Sequence, residues 1–248
     1  MKRNSFALVA PIALTLSACG DTADDSADTA PLEGDPIAAI DAPDGTSWLE
    51  VANENDQGGV VLGNPDAPLK LIEYASHTCG GCALFAETGS PALKRDYVET
   101  GIVSYEMRPL LRDPLDVTIS AMVRCGSPEG FHALADQAWG NLQQFGAALQ
   151  SNGAAYEAAM NAPPENRFVQ LAQAAGLIDF FAARGISADQ ARTCLSDGEA
   201  ITEMAELSSR VASENEVNST PTFFLNGRRL DAVQWPELEP VLQRAGAR

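Results

Sequence analysis

Cys79 and Cys82 are the residues of this sequence whose type and spacing most directly indicate chemistry. They follow an apolar, strand-like run at residues 69–75 and open a segment of helical character. The first thiol would therefore face solvent and the unpaired amides at the positive end of a helix dipole, a setting that stabilises a thiolate. A thiol one turn further on can close a disulfide with it. The pattern predicts a dithiol that exchanges disulfides, with Cys79 attacking and Cys82 resolving.

A C-x-x-C motif can also provide half of a zinc site or form a static structural disulfide. The chain has five cysteines and two histidines, and no second C-x-x-C or suitably spaced histidine pair completes four ligands. We therefore expect no metal and no cofactor. A static structural disulfide remains an alternative at this point, because it would suit a binding or holdase protein.

The charge of the chain narrows the range of partners. Thirty-four acidic residues against 16 basic ones give a formal net charge of −18 at pH 7. Such a surface repels phosphates, which argues against nucleic-acid binding and against electrostatic adhesion to anionic lipid. An apolar fraction of 45% is sufficient for one or two domains with a hydrophobic core.

The start of the chain indicates export. Lys2 and Arg3 precede an apolar run at residues 6–18 that is too short to span a bilayer. We therefore predict a signal peptide at residues 1–18. Its end, Leu-Ser-Ala-Cys-Gly, resembles the bacterial lipobox and implies acylation of Cys19. The alternative is an ordinary cleavage site with a chance cysteine nearby.

The residues after this signal predict a tether. From Gly20 to about Gly45 the chain consists largely of acidic and small residues, which cannot bury enough apolar surface to fold. Residues 19–57 are therefore expected to form a lipidated cysteine and a flexible acidic linker. The expected location is the periplasmic side of a bacterial membrane, with a lipid anchor.

The rest of the chain predicts an α/β domain with a helical interruption. Two adjacent strands at 60–62 and 69–75, a helix at 83–98 and a strand at 102–107 form its N-terminal part, residues 58–111. From 112 to 212 the apolar residues recur at helical spacing and no convincing strand occurs. Residues 213–248 return to a strand at 222–225 and end in an amphipathic segment.

Three motifs together resemble the DsbA-like thiol:disulfide interchange proteins of the thioredoxin superfamily. They are Gly-Asn-Pro-Asp-Ala-Pro at 63–68, Glu-Tyr-Ala-Ser at 73–76 leading into the C-x-x-C, and Ser-Thr-Pro-Thr-Phe-Phe-Leu-Asn-Gly at 219–227. The resemblance implies an α/β, thioredoxin-like fold with an inserted helical domain. It also implies a monomer, because the short polar segment before residue 58 supplies no dimerisation domain.

The resemblance assigns roles to three further residues. Thr220 and Pro221 would form a cis-proline loop that binds substrate beside the cysteines. Glu73 would be a buried acid that relays protons for Cys82, since burial can raise a carboxyl pKa into the range of a general base. An outward-facing strand glutamate is the alternative. His77 could stabilise a thiolate if protonated, but we expect an exposed loop group and do not place it in the catalytic set.

Cys125 and Cys194 are the remaining pair, and both lie in the predicted helical block. In an oxidising compartment two such cysteines usually pair, and related DsbA-like proteins have a second disulfide in this domain. We expect a structural disulfide, with two buried free thiols as the alternative.

The direction of electron flow stays open. Gly80 and Gly81 replace the Pro-His of the best-known family members, which should leave the thiolate less stabilised and the disulfide less oxidising. The expected activity is disulfide formation in reduced or unfolded exported proteins, with a DsbB-like, quinone-linked membrane protein as reoxidant. The alternative is a reductase that uses the same cysteines.

Overall fold

A mixed six-stranded β-sheet lies at the centre of the fold. The computed structural model describes residues 32–248, so the predicted signal peptide and Cys19 lie outside the described residues. The strands are β1 (Ala52–Glu54), β2 (Val60–Leu62), β3 (Leu69–Ala75), β4 (Val103–Pro109), β5 (Thr222–Leu225) and β6 (Arg228–Arg229). They lie in the order β1-β2-β4-β3-β5-β6.

The two longest strands, β3 and β4, pair in parallel in the middle of this sheet, and all other pairs are antiparallel. Their burial explains their composition, because a strand covered on both faces is apolar along most of its length. Six of the seven β4 residues are buried, and in β3 only Lys70 is exposed. The carboxyl end of β3 leads directly to the C-x-x-C motif.

Helices follow β3, fill the interval between β4 and β5, and also follow β6. They are α1 (Gly80–Thr88), α2 (Ser90–Leu93), α3 (Pro114–Arg124), α4 (Pro128–Gly140), α5 (Leu142–Ser151), α6 (Gly153–Met160), α7 (Pro164–Ala174), α8 (Leu177–Ala182), α9 (Ala188–Ser196), α10 (Gly198–Glu214) and α11 (Trp235–Arg244). A π-helical segment, Lys94–Val98, continues α2. Within residues 32–248, no helix has both the length and the apolarity that crossing a membrane requires.

The helical block predicted at residues 112–212 corresponds to α3 through α10, and residues 110–221 contain no strand. Its first helix begins with local signals, because the Asp113 side chain accepts a hydrogen bond from the Asp116 amide and Pro114 occupies the first helical position. Residues 32–248 form one compact unit, so the predicted boundaries at 112 and 212 mark a change of secondary structure within that unit.

The segment before residue 58 differs from the flexible linker expected at 19–57. Trp48 is buried, its Nε1 donates to the Ile40 carbonyl at 2.7 Å, and the Ile40 amide donates to the Thr100 carbonyl at 2.9 Å. β1 pairs with β2. Composition did not predict this order, because a few apolar side chains and backbone hydrogen bonds are enough to hold a polar segment on an existing domain.

The sheet order also corrects one expectation. β2 and β3 are consecutive in sequence and were expected to be adjacent, but β4 lies between them. A parallel neighbour for β3 requires a crossover, which α1, α2 and Lys94–Val98 provide.

Candidate active site

Cys79 is the N-cap residue of α1, directly after the loop that leaves β3. Its sulfur accepts a hydrogen bond from the Cys82 amide, with 3.3 Å between the sulfur and the nitrogen. The first amides of a helix have no intrahelical partner, so a thiolate here replaces the usual capping oxygen. The structure thus places the sulfur at the positive end of the helix dipole, as the motif predicted.

The loop before β5 closes over the other side of this sulfur. The Thr220–Pro221 peptide bond is cis, and the Cys79 sulfur lies 3.3 Å from the Thr220 carbonyl oxygen, to which it donates only in its protonated form. Pro221 also lies against α1, since a Cβ built on Gly81 would be 3.0 Å from its Cδ. The loop that the resemblance assigned to substrate binding is therefore in contact with the first turn of α1.

Hydrogen bonding lowers the pKa of Cys79 to about 5. The largest cause is the hydrogen bond from the Cys82 side chain, and Thr220 and the backbone amides of Gly81 and Cys82 act in the same direction against the effect of burial. Cys79 is therefore a thiolate at neutral pH in the reduced protein.

Cys82 has the opposite character. Its side chain is completely buried, and burial, followed by the hydrogen bond to Cys79 and the charge of Glu73, raises its pKa far above the ordinary value. Cys79 retains an exposed fraction of 5%, which is less than the solvent-facing sulfur expected from sequence. The neighbouring Gly80 is exposed, and a Cβ built on it would meet nothing within 4 Å. Residue 80, next to the largely covered Cys79, is therefore open to solvent.

Glu73 lies in β3, the strand that leads to the motif, and is fully buried, which removes the outward-facing alternative. The Tyr105 hydroxyl donates to its Oε2, and its Oε1 has no hydrogen-bond partner. Burial raises the pKa of this carboxyl to about 8, although the Tyr105 hydrogen bond opposes the shift. The group is therefore protonated at neutral pH and has a free oxygen.

Two acidic residues of the helical block hold the loop between β3 and α1. The buried Asp116 carboxylate accepts from the Ser76 hydroxyl at 2.6 Å and from the His77 amide at 2.8 Å. Asp113 accepts from the Thr78 hydroxyl at 2.6 Å. Both carboxylates were missed in the sequence because their partners are 35 to 40 positions away and no motif links them.

His77 is buried and not the exposed loop group expected from sequence. Its ring stacks on Trp139 with 5.1 Å between ring centroids, and Nδ1 lies 2.9 Å from the Ser120 hydroxyl. Trp139 also donates from Nε1 to the Ser76 carbonyl at 3.0 Å. These contacts tie the loop to α3 and α4, so the helical block fixes the position of the cysteine motif.

One polar contact on the far side of α1 was not anticipated. Gln234, the N-cap residue of α11, donates from Nε2 to the Gly81 carbonyl at 3.0 Å. The two residues are separated by 153 positions, and an isolated glutamine before a Trp-Pro pair is no recognisable motif.

Cys125 and Cys194 form a disulfide with 6.0 Å between their Cα atoms. It connects the end of α3 to α9, within the helical block. Cys79 and Cys82 are the free cysteines of residues 32–248. In this part of the chain, no group of three or more histidine, cysteine, aspartate or glutamate side chains is arranged to hold a metal ion.

Comparison with known proteins agrees with this geometry. The thioredoxin family model matches residues 55–244. A curated relative from Rickettsia typhi, named "Putative protein-disulfide oxidoreductase RT0103", is 24% identical over 190 residues, which is 77% of this chain and 63% of the relative. The chain thus spans less than two thirds of that relative's length.

Two solved structures share the fold. A protein-disulfide isomerase from Novosphingobium aromaticivorans is 30% identical, with a TM-score of 0.70 over 76% of this chain and 97% of that one. The α-DsbA1 protein of Wolbachia pipientis is 19% identical, with a TM-score of 0.61 over 81% of this chain and 96% of that one. The chain therefore belongs to the thioredoxin family and has the fold of its DsbA-like members.

Proposed function

We propose that this protein is a thiol:disulfide oxidoreductase that exchanges the Cys79–Cys82 disulfide with substrate proteins. The observation that carries the proposal is the asymmetry of the two sulfurs. The Cys79 sulfur caps a helix and has a low pKa, whereas Cys82 is fully buried and has a high one. A static structural disulfide does not require this difference. The names of the relatives support the same activity.

In the oxidising direction, a substrate thiolate attacks the Cys79 sulfur of the enzyme disulfide. A substrate–Cys79 bond forms, the Cys79–Cys82 bond breaks, and Cys82 leaves as a thiolate that takes up a proton. A second substrate thiolate then attacks the substrate sulfur of the mixed disulfide and releases the Cys79 thiolate. The substrate loses two electrons, and the enzyme keeps them as its dithiol.

Glu73 is suited to handle the proton of Cys82. The ionised Glu73 carboxylate raises the Cys82 pKa, so the two groups interact electrostatically when both can carry charge. Its carboxyl is protonated near neutral pH and has an oxygen without a partner. A group with a pKa of about 8 can donate a proton to the departing Cys82 thiolate and accept it again in the reverse reaction.

The pKa of Cys79 favours oxidation as the working direction. A thiol with a pKa of about 5 is a good leaving group, and its ionisation stabilises the reduced enzyme relative to the disulfide. The two glycines do not prevent this, because the donors come from Cys82, Thr220 and backbone amides. The alternative, a reductase, would show a reduction potential close to that of thioredoxin.

The expected substrates are reduced or unfolded exported proteins, bound as extended chain beside Thr220 and Pro221. A DsbB-like, quinone-linked membrane protein would remove the electrons, and the enzyme would act as a monomer. Export and anchoring depend on residues 1–18 and Cys19. Fatty-acid labelling and globomycin-sensitive processing of the wild type, both abolished in Cys19→Ser, would support the anchor; unmodified, soluble mature protein would refute it.

Trapping of mixed disulfides tests the assignment of the two cysteines. Cys82→Ser leaves an attacking thiolate that cannot resolve, so mixed disulfides with substrate proteins should accumulate through Cys79. Cys79→Ser, the matched control, should trap almost none. Equal trapping by both variants would contradict the assignment. Trapping by neither, with a Cys79–Cys82 disulfide that resists mild dithiothreitol, would favour a binding or holdase protein.

A further inference from the structure

The peptide group between Gly81 and Cys82 is held at both ends. Its N–H, which belongs to Cys82, donates to the Cys79 sulfur at 3.3 Å. Its C=O, which belongs to Gly81, accepts from the Gln234 side chain at 3.0 Å. A residue 153 positions away in sequence thus contacts the same planar group that holds the exchanging sulfur.

A hydrogen bond to the carbonyl of an amide strengthens the donor at its other end. Amide resonance moves electron density toward the oxygen when the oxygen accepts a bond, so the N–H becomes more polar. Cooperative strengthening of this kind amounts to roughly 10–30% per bond. Here the strengthened N–H points at a sulfur that is negatively charged in the reduced protein, where a charge-assisted hydrogen bond is strongest.

The contact also fixes the orientation of that peptide group. Gly80 and Gly81 open α1, and glycine loses more conformational freedom than any other residue when it enters a helix. A side chain that holds the Gly81 carbonyl restricts the plane of the peptide and the direction of the Cys82 N–H. The Gly-Gly pair that weakens the first turn is thus compensated from outside the helix.

The chain next to Gln234 packs against the end of α1. Gln234 precedes α11, and a Cβ built on Gly89, the residue that ends α1, would be 2.7 Å from the Cβ of its neighbour Trp235, so the two helices are in close contact here. The Oε1 atom of Gln234 is buried without a partner. If Oε1 and Nε2 of Gln234 exchanged places, two hydrogen-bond acceptors would face each other at Gly81. The Gly81 carbonyl therefore determines the orientation of the Gln234 side-chain amide.

We propose that Gln234 is a positioning residue for the Cys79 thiolate. By binding the Gly81 carbonyl, it orients and polarises the peptide whose N–H stabilises the sulfur. The inference rests on the proposed function, in which Cys79 is the exchanging cysteine. Gln234 acts through the Gly81–Cys82 peptide and has no bond to the substrate.

The test compares Gln234→Met and Gln234→Glu with a control on the same helix, Gln243→Met. Methionine preserves the length of the side chain and removes the donor, and glutamate adds a negative charge beside the Gly81 carbonyl. The Gln243 side chain donates to the Tyr97 hydroxyl at 3.2 Å, so its replacement is the same chemical change without a contact to α1. The Cys79 pKa is measured from thiolate absorbance, and the redox equilibrium is measured against glutathione at neutral pH.

We expect the acid dissociation constant of Cys79 to fall roughly 1.3- to 5-fold in Gln234→Met, further in Gln234→Glu, and not at all in Gln243→Met. Because ionisation stabilises the reduced form, the glutathione equilibrium should shift toward the disulfide by a similar factor. The Cys82 amide proton resonance should move upfield in both Gln234 variants, as its hydrogen bond to sulfur weakens. Thermal unfolding shows that the compared proteins are folded.

The inference is overturned if Cys79 has a low pKa in the wild type and the same pKa in Gln234→Met, or if Gln243→Met shifts it equally. If one Gln234 variant does not fold, the other decides by the same criterion. If wild-type Cys79 titrates as an ordinary thiol and traps no substrate, the proposed function fails. An unmoved Cys82 amide resonance in the folded Gln234 variants overturns the inference in that case as well.

Discussion

Replacing Glu73 by glutamine should flatten the pH dependence of protein stability. Glu73 is completely buried, and burial raises its pKa from 4.5 to about 8. Between these values the unfolded chain carries a carboxylate and the folded protein a neutral carboxyl. The stabilisation is therefore fully present below pH 4.5 and is lost as the pH rises through 8. The loss is about 1.4 kcal/mol per pH unit, or on the order of 4 to 5 kcal/mol over the whole window.

Denaturant unfolding of the oxidised protein measures this effect, because the disulfide removes Cys79 and Cys82 from the titration. Oxidation also removes the charge of Cys79, one of the smaller causes that raise the Glu73 pKa, so the pH window of the oxidised protein ends at or below about pH 8. The introduced amide does not titrate and can still accept the Tyr105 hydrogen bond. As the pH rises, the difference in the free energy of unfolding between Glu73→Gln and the wild type should therefore grow in favour of the variant by up to about 1.4 kcal/mol per pH unit. This difference should level off above pH 8.

Tyr105→Phe is the companion variant. It removes a bond that lowers the Glu73 pKa, so the wild-type slope should continue to higher pH. Parallel curves for Glu73→Gln and the wild type between pH 5 and 8 would refute the reasoning.

Two further predictions concern the disulfide of the helical block and the glycine pair. The Cys125→Ala/Cys194→Ala variant should unfold with a free energy lower by up to about 4 kcal/mol, since its disulfide closes a loop with a sequence separation of 69. It should still exchange disulfides, and an unchanged denaturation midpoint would contradict the prediction. Gly81→Ala should slow exchange, because its Cβ would lie 3.0 Å from Pro221 and 3.7 Å from the Cys79 sulfur, whereas Gly80→Ala meets nothing within 4 Å. Rates with a model disulfide compare the two, and equal rates would show that Pro221 does not restrict residue 81.

The parts of the fold that sequence predicted well are those with a local signal. β3 and β5 have the predicted bounds, 69–75 and 222–225, because turn residues flank each apolar run. The absence of strands between residues 110 and 221 follows from a helical period repeated over many turns. The C-x-x-C motif predicted Cys79 at the start of a helix because this placement also follows from a local signal, the strand-like run before the motif and the helical segment after it.

The parts that sequence could not predict depend on contacts between distant residues. His77 was expected to be exposed because histidines in short loops usually are, yet it stacks on Trp139 of α4. Asp116 holds the loop from 40 positions away. The position of β4 between β2 and β3 depends on a crossover, and adjacency in sequence gives the wrong neighbour. Each of these is a property of tertiary packing, which periodicity and composition do not encode.

The chemistry of the cysteine pair also depends partly on neighbouring residues in the sequence and partly on contacts with distant ones. Judged from the motif alone, two glycines in place of Pro-His leave the Cys79 thiolate with backbone donors only. In the folded chain those donors are supplemented by the side chains of Cys82 and Thr220, and the Gly81 carbonyl accepts a hydrogen bond from Gln234. A low pKa at Cys79 therefore does not require a charged or aromatic side chain between the cysteines. It follows chiefly from the hydrogen bond of the Cys82 side chain, while burial raises the pKa of Cys82 and keeps that second thiol protonated. We propose that Gln234 adds to this effect by orienting the Gly81–Cys82 peptide group and that Glu73 exchanges a proton with Cys82.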